Sequence, residues 1–162
     1  MTATAPNLNR TIAIRVHKLN FLMDRLAEQT LREGTDLTFG QFRLLMALKR
    51  HGSLSQRSVA KFHGLTEAAV SRTIQDLVKR KLINRAVNPV SRREHLLGLT
   101  SNGEKALIKS QKVLDAAFTG LFNAVSLKDR QIVDQVLGEL LQAIWDDGKR
   151  MYCGRPTTAH KR

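Results

Sequence analysis

The chain is nearly without the residues that cross-link, kink or rigidify a protein: its 162 residues include one cysteine, three prolines, one tryptophan and one tyrosine. The single thiol, Cys153, can close no intrachain disulfide, so a disulfide framework is excluded. It also has no second cysteine to resolve an oxidised form, which argues against a redox sensor. With only 5% aromatic residues, the composition suits a helical protein better than a sandwich or a barrel. No apolar run reaches the roughly 20 residues that a spanning helix needs. The opening MTATAPNLNR lacks the charged-then-apolar layout of a secretion signal. The expectation is a soluble, cytoplasmic protein with no membrane partner.

Catalytic signatures are missing too. There is no nucleophile elbow, no phosphate-binding glycine loop and no HExxH. His17, His51, His63, His95 and His160 have no metal-ligand spacing. The reading is therefore of a protein that is not an enzyme and uses no cofactor or metal.

Acidic residues are scarce: 14 Asp and Glu face 27 Lys and Arg, for a net charge of +13. A balance this basic implies an anionic partner, nucleic acid or a lipid surface. The excess is concentrated. Residues 38–100 carry twelve basic and three acidic residues, a net of +9, against +1 before them and +3 after them. A localised basic segment of this kind is the footprint of a nucleic-acid binder.

That segment has a legible order. Thr38 with Gln41 is a capping box that opens a helix carrying Phe42, Leu45, Met46 and Leu48, closed at His51-Gly52. Ser55 caps a short helix with Val59 and Phe62 inward, ending at Gly64. Thr66 caps another with Val70, Ile74, Leu77 and Val78 inward. Two short helices joined by a Gly turn are a helix-turn-helix, whose second helix can lie in a DNA major groove. Glu67, Ala68, Ala69, Ser71, Arg72 and Gln75 fall on the face opposite Val70 and Ile74. The alanines permit close approach and can meet a thymine methyl. Arg72 can bond guanine and Gln75 adenine, although Arg72 can equally grip a phosphate. The helix starts at Ser55 and Thr66 present N–H groups suited to phosphate, and would serve as caps in any protein. Arg57, Lys61, Lys79, Arg80, Lys81 and Arg85 surround this face.

Leu82-Ile83 then begins a strand, and residues 95–99 form its return, making a two-stranded wing with Asn88-Pro89 at the turn. Arg92 and Arg93 beside Pro89 form a short basic finger able to enter a minor groove. The alternative for them is a solvated turn.

The flanks read as long amphipathic helices. Ile12, Val16, Leu19, Leu22, Met23, Leu26 and Leu31 mark one over about residues 10–31. Thr100 caps a second running to about Val125, with Leu107, Val113, Leu114, Phe118, Leu121 and Phe122 apolar. Ser126 with Asp129 suggests another capping box, before a last helix bearing Ile132, Val133, Val136, Leu137, Leu140, Leu141, Ile144 and Trp145. These helices carry more apolar surface than a winged domain of about 65 residues can cover, so a homodimer is expected. The organisation is then 1–37 N-terminal arm and dimerisation helix, 38–100 winged core, 101–150 C-terminal dimerisation helices and 151–162 tail. The fold class is mainly α, a winged helix-turn-helix with long helices at both ends.

The stretches LTFGQFRLLMAL, LSQRSVAKFHGLTEAAVSRTIQDLVKRKLI and NPVSRREHLLGLTSNG, in this order and spacing, resemble the winged-helix core of the multiple antibiotic resistance regulator (MarR) family. The resemblance extends more loosely over the helices at both ends. It implies a homodimer that binds palindromic double-stranded DNA and usually represses transcription, released by phenolic or other amphipathic small molecules or by oxidants. It implies that the helix from Thr66 reads the major groove and that Arg93 enters the minor groove. The family's wing typically has an Asp two residues before that arginine to orient it by an ion pair; this chain has Ser91 there. Family effectors bind between the dimer helices and the winged core, which makes His17, Phe21, Phe42, Met46 and Phe118 candidate liners, the plainer reading of each being core packing. A competing function is an architectural DNA-coating protein without sequence choice, because phosphate binding needs only charge.

Overall fold

Local cap chemistry sets most of the element boundaries. The computed structural model describes residues 7–88 and 94–146. Helix α1 spans Leu8–Gly34, longer at both ends than the apolar spacing suggests: Asn7 caps its start by accepting the Arg10 N–H at 3.3 Å, and the Thr35 N–H and hydroxyl both donate to the Leu31 carbonyl at 2.8 Å at its end. Helix α2, Phe39–His51, begins with the full Thr38–Gln41 box: the Gln41 N–H donates to Thr38 Oγ1 (3.2 Å) and the Thr38 N–H to Gln41 Oε1 (2.9 Å). The chain continues as β1 (Leu54–Ser55), α3 (Gln56–His63), α4 (Glu67–Lys79), β2 (Ile83–Val87), β3 (His95–Leu99), α5 (Ser101–Phe122) and α6 (Leu127–Asp146).

The expected two-stranded wing forms, and a short third strand that the sequence does not announce joins it: the sheet is ordered β1-β3-β2 and antiparallel throughout. The hairpin pairs Ile83 with Leu99 through Val87 with His95, and β1 adds Leu54 opposite Leu97 and Ser55 opposite Leu96. A two-residue strand is too short to leave an alternating pattern in a sequence. Pairing with β1 also anchors the start of α3 to the wing.

One core holds these elements together. Ala27 and Leu31 of α1, Leu44, Leu45 and Leu48 of α2, Val59 of α3, Ile74 and Leu77 of α4, and Ile83 and Leu97 of the sheet are all at or near zero exposure, with Leu107 and Leu114 of α5 beside them. Helix α5 ends at Phe122, three residues short of Val125, and Ser126 Oγ accepts the Asp129 N–H (3.2 Å) at the start of α6. The reciprocal half of the expected box is replaced, since the Ser126 hydroxyl itself donates to the Asp129 carboxylate at 2.6 Å.

The apolar residues of the flanks stay uncovered in one protomer. Ile12, Val16, Leu19, Phe21 and Leu22 of α1 are exposed, as are Ile132, Val133, Val136, Leu137, Leu140, Leu141 and Ile144 of α6. The α6 residues recur every three or four positions, so they form one continuous stripe.

Candidate nucleic-acid interface

Helix α4 is built to expose one face. Val70, Ile74 and Leu77 are buried at helical spacing and fix the inner side. The opposite side therefore carries Glu67, Ala68, Ala69, Arg72 and Gln75, all exposed. Ser71 departs from the expected arrangement: it is half-buried, on the flank of the helix. Among the described residues, Arg57, Arg72 and Gln75 have no hydrogen-bond or ion-pair partner, so their donors remain available to an outside acceptor.

The turn before α4 is tightly specified. Gly64 sits at φ 62° and ψ 31°, the left-handed region that glycine adopts without steric cost. Its N–H donates to the Lys61 carbonyl at 3.2 Å and the Leu65 N–H to Ala60 at 2.9 Å, closing α3. Thr66 Oγ1 then accepts the Ala69 N–H at 3.2 Å, and Ser55 Oγ does the same for Ser58 at 3.2 Å. Ser55 and Thr66 thus serve as the caps that the sequence suggests, and each leaves a helix N-terminus at the protein surface.

Gln56 is a residue that the sequence reading does not single out. Its Nε2 donates to the Glu67 carbonyl at 3.2 Å, and its Oε1 accepts from Arg85 Nη2 at 3.4 Å. One side chain thereby ties the starts of α3 and α4 to strand β2. The three elements border a cleft of about 210 Å³ lined by Ser55, Gln56, Arg57, Glu67, Arg85, Glu94, His95 and Leu97. A glutamine at the first position after a cap carries no signal of its own, and its partners are 11 and 29 residues away.

The end of the hairpin closes with the Asn88 N–H donating to Glu94 at 2.9 Å. Arg92 and Arg93, with Pro89 and Ser91, lie outside the described residues, as does Cys153.

At the C-terminal end of α4, Lys81 adopts φ 57°, a left-handed conformation unusual for a side chain of its size. Its N–H donates to Val78 and the Leu82 N–H to Leu77, both at 2.9 Å. This paired closure stops the helix and turns the chain directly into β2.

His63, the last residue of α3, is half-buried, and its Nε2 has no partner among the described residues. Burial lowers its pKa from the ordinary histidine value, and the nearby Arg43 guanidinium lowers it further. On α1, burial raises the Glu28 pKa, but the Phe39 N–H (2.8 Å) and Arg32 (2.7 Å) outweigh that and leave it below the usual carboxylate range.

The five candidate effector liners divide. Phe42 is buried in the core and stacks on Phe39 with ring centroids 6.2 Å apart; Met46 and Phe118 are half-buried against the same core. His17 and Phe21 lie instead on the exposed part of α1, with Arg25 over the Phe21 ring at 5.9 Å. The structure therefore brings three of them together and leaves two outside. A second cleft, of about 600 Å³, follows α1 along Leu22, Arg25, Leu26, Glu28, Gln29, Arg32 and Glu33, and includes none of the five. Among the described residues, no three His, Cys, Asp or Glu side chains are grouped to hold a metal ion, and no helix is long and apolar enough to cross a membrane.

Comparison with known proteins agrees with this geometry. The MarR family model matches residues 35–94. The Bacillus subtilis HTH-type transcriptional regulator YdcH is 32% identical over 98 residues, covering 58% of this chain and 67% of the relative. The apo form of Escherichia coli MarR superposes with a TM-score of 0.75 at 21% identity, over 86% of this chain and 99% of that one. A mutant of the same protein in complex with operator DNA gives 0.68 at 21% identity, over 83% and 99%. Bordetella bronchiseptica BpsR, whose DNA binding is regulated by 6-hydroxynicotinic acid, gives 0.63 at 23% identity, over 78% and 98%. A winged helix-turn-helix flanked by long helices, matched by family model, by sequence and by fold, places this chain in the MarR family of transcriptional regulators.

Proposed function

We propose that the protein is a sequence-specific DNA-binding regulator, a cytoplasmic homodimeric repressor that binds palindromic operators and is released by a small amphipathic molecule. The observation that carries this reading is α4. It has a buried apolar side and an opposite face whose Arg72 and Gln75 donors are exposed and unused. Those are the side chains that match guanine and adenine edges in a major groove. The net charge of +9 over residues 38–100 supplies the sequence-independent attraction to phosphate. Arg57 and the helix starts at Ser55 and Thr66 are suited to backbone contacts, Ala68 and Ala69 to close approach, and Ser71 to the groove edge. Arg92 and Arg93 are assigned to the minor groove by family resemblance.

Dimerisation follows from the apolar stripes on α1 and α6. A second copy would cover them, and two-fold symmetry would set the two α4 helices about 34 Å apart, one turn of DNA. The E. coli structural neighbour bound to operator DNA supports the DNA-binding part of this reading, and BpsR supports regulation by a small molecule. Phe42, Met46 and Phe118 at the core, and His17 and Phe21 on the exposed part of α1, are the proposed effector-facing residues.

The deciding experiment is binding to DNA from upstream of the protein's own gene, at about 150 mM salt with excess random competitor. A discrete complex of two subunits that survives competitor is the expected result. Loss of binding to bulk competitor would instead favour a DNA-coating protein driven by the basic segment alone.

A further inference from the structure

The buried stripe of α4 sets which side faces outward, but only to within the width of that stripe. A directional polar contact bears on its second half. Gln41 Nε2 donates to Asp76 Oδ2 at 2.8 Å, across 35 residues of sequence. The same amide's Oε1 accepts the Thr38 N–H (2.9 Å) and a longer bond from Arg80 Nη1 (3.4 Å), and Arg80 lies 3.5 Å from the Asp76 carboxylate. Gln41 thus closes the capping box of α2 and grips α4 with one side chain. The start of α2 is in turn held to α1, where Glu28 Oε2 accepts the Phe39 N–H at 2.8 Å. A continuous polar path runs from α1 through the first turn of α2 to the helix that carries Arg72 and Gln75.

Asp76 is the neighbour of Gln75 and lies one turn beyond Arg72, so its anchorage governs where both side chains point. At a helix radius of roughly 5–6 Å, a rotation of about 20° moves a side-chain position by about 2 Å. Most of a hydrogen bond's length would be lost to such a shift.

We propose that Gln41 is a positioning residue for base reading: its amide bond to Asp76 sets the rotation of α4, so that Arg72 and Gln75 meet the groove together. The proposal rests on the reading of α4 as the DNA-reading helix. It can be separated from that reading because the bond itself exists in the free protein.

The discriminating variant is Gln41→Glu. Glutamate is also a good capping-box residue, so the Thr38 N–H keeps its acceptor. It has no donor for Asp76 and places two carboxylates face to face. Adding Asp76→Asn restores a donor to the pair. Adding Asp36→Asn, at an exposed position, restores the net charge but leaves the carboxylates opposed. Two duplexes serve as probes: the sequence that the wild-type protein enriches from a random pool, and a random duplex of equal length. Gln41→Glu should lose about tenfold in affinity for the enriched duplex, as for a hydrogen bond to a charged group, with little change on the random one. Asp76→Asn should rescue it and Asp36→Asn should not. In the free protein, amide hydrogen exchange across α4 should quicken in Gln41→Glu and in its Asp36→Asn double variant. It should return to wild type with Asp76→Asn, while the first turn of α2 keeps its protection.

Equal losses on both duplexes, or rescue by Asp36→Asn as well as by Asp76→Asn, would overturn the proposal in favour of a general ionic effect. Unchanged exchange across α4 would also overturn it. If the wild-type protein enriches no duplex, the DNA-reading assignment fails, and the exchange measurement decides whether Gln41 holds α4.

Discussion

Gly103 offers a test in which two opposing effects can be weighed. It lies in the first turn of α5, and its N–H donates to Thr100 Oγ1 at 3.0 Å. The Leu82 carbonyl packs directly over it, accepting the Thr100 N–H (3.1 Å) and lying 2.9 Å from the Thr100 hydroxyl. A Cβ at Gly103 would stand 2.0 Å from the Leu82 oxygen, 2.9 Å from its carbonyl carbon and 2.8 Å from a Leu99 methyl. Gly103→Ala gains helix propensity, at most about 0.8–1.0 kcal/mol. Against this stand roughly 1–3 kcal/mol for overpacking and about 0.5–1.5 kcal/mol for each strained bond to Leu82. Because two of the three clashing atoms are backbone, the cost should win by about 1–5 kcal/mol. At roughly 2–4 °C per kcal/mol for a chain of this size, the melting temperature should fall by several degrees. Gly40→Ala is the internal control: an added Cβ there meets only Thr38 Oγ1, at 4.0 Å. It should raise the melting temperature by a degree or more, with a gain of about 0.5–1 kcal/mol. Both are read by calorimetry at one fixed protein concentration, since association would shift the midpoint. A Gly103→Ala protein that melts at or above the wild-type temperature would refute the close packing of Leu82 on α5.

Three further outcomes follow from the same geometry. Lys81→Gly should stabilise the fold by up to about 1 kcal/mol, because the φ of 57° costs a side-chain residue more than glycine; an unchanged or lower melting temperature would contradict this. His63 is held below the ordinary histidine pKa by burial and Arg43, so the unfolded chain takes up its proton first as pH falls. The associated stability is complete above about pH 6.5 and is lost as pH falls through the folded-state value. Thermal midpoints measured from roughly pH 7.5 down to roughly pH 5.5, on either side of the ordinary histidine value, should therefore decline, and His63→Gln should flatten the decline. Leu140→Asp, in the middle of the α6 stripe, removes an apolar contact worth about 1.5–3 kcal/mol from each copy of a paired interface and should shift the protein to monomer in light scattering; an unaltered dimer would place the interface elsewhere.

How much was legible in the sequence depended on how local the physics is. The boxes and caps at Thr38, Ser55, Thr66 and Thr100 could be read because each acts within three residues, and each forms in the structure. The buried face of α4 was equally plain, since Val70, Ile74 and Leu77 announce it by spacing alone. Strand β1 was hidden, because Leu54 and Ser55 become a strand only when Leu96 and Leu97 lie beside them. The bonds from Gln41 to Asp76 and from Gln56 to Arg85 were hidden for the same reason, as they depend on how helices and sheet pack. The candidate effector liners show the opposite limit. Phe42 and Met46 have the spacing of core residues, and core and pocket walls use the same apolar side chains.

The most direct test of the account is the binding of Arg72→Ala and Gln75→Ala to a panel of operator variants, each changed at one base pair, at constant salt. If α4 reads bases, each substitution should cost about 1–3 kcal/mol on duplexes that keep its base, and almost nothing where that base has already been changed. Losses of equal size on every duplex in the panel, for both substitutions, would mean that α4 only grips the DNA backbone, and would contradict the account.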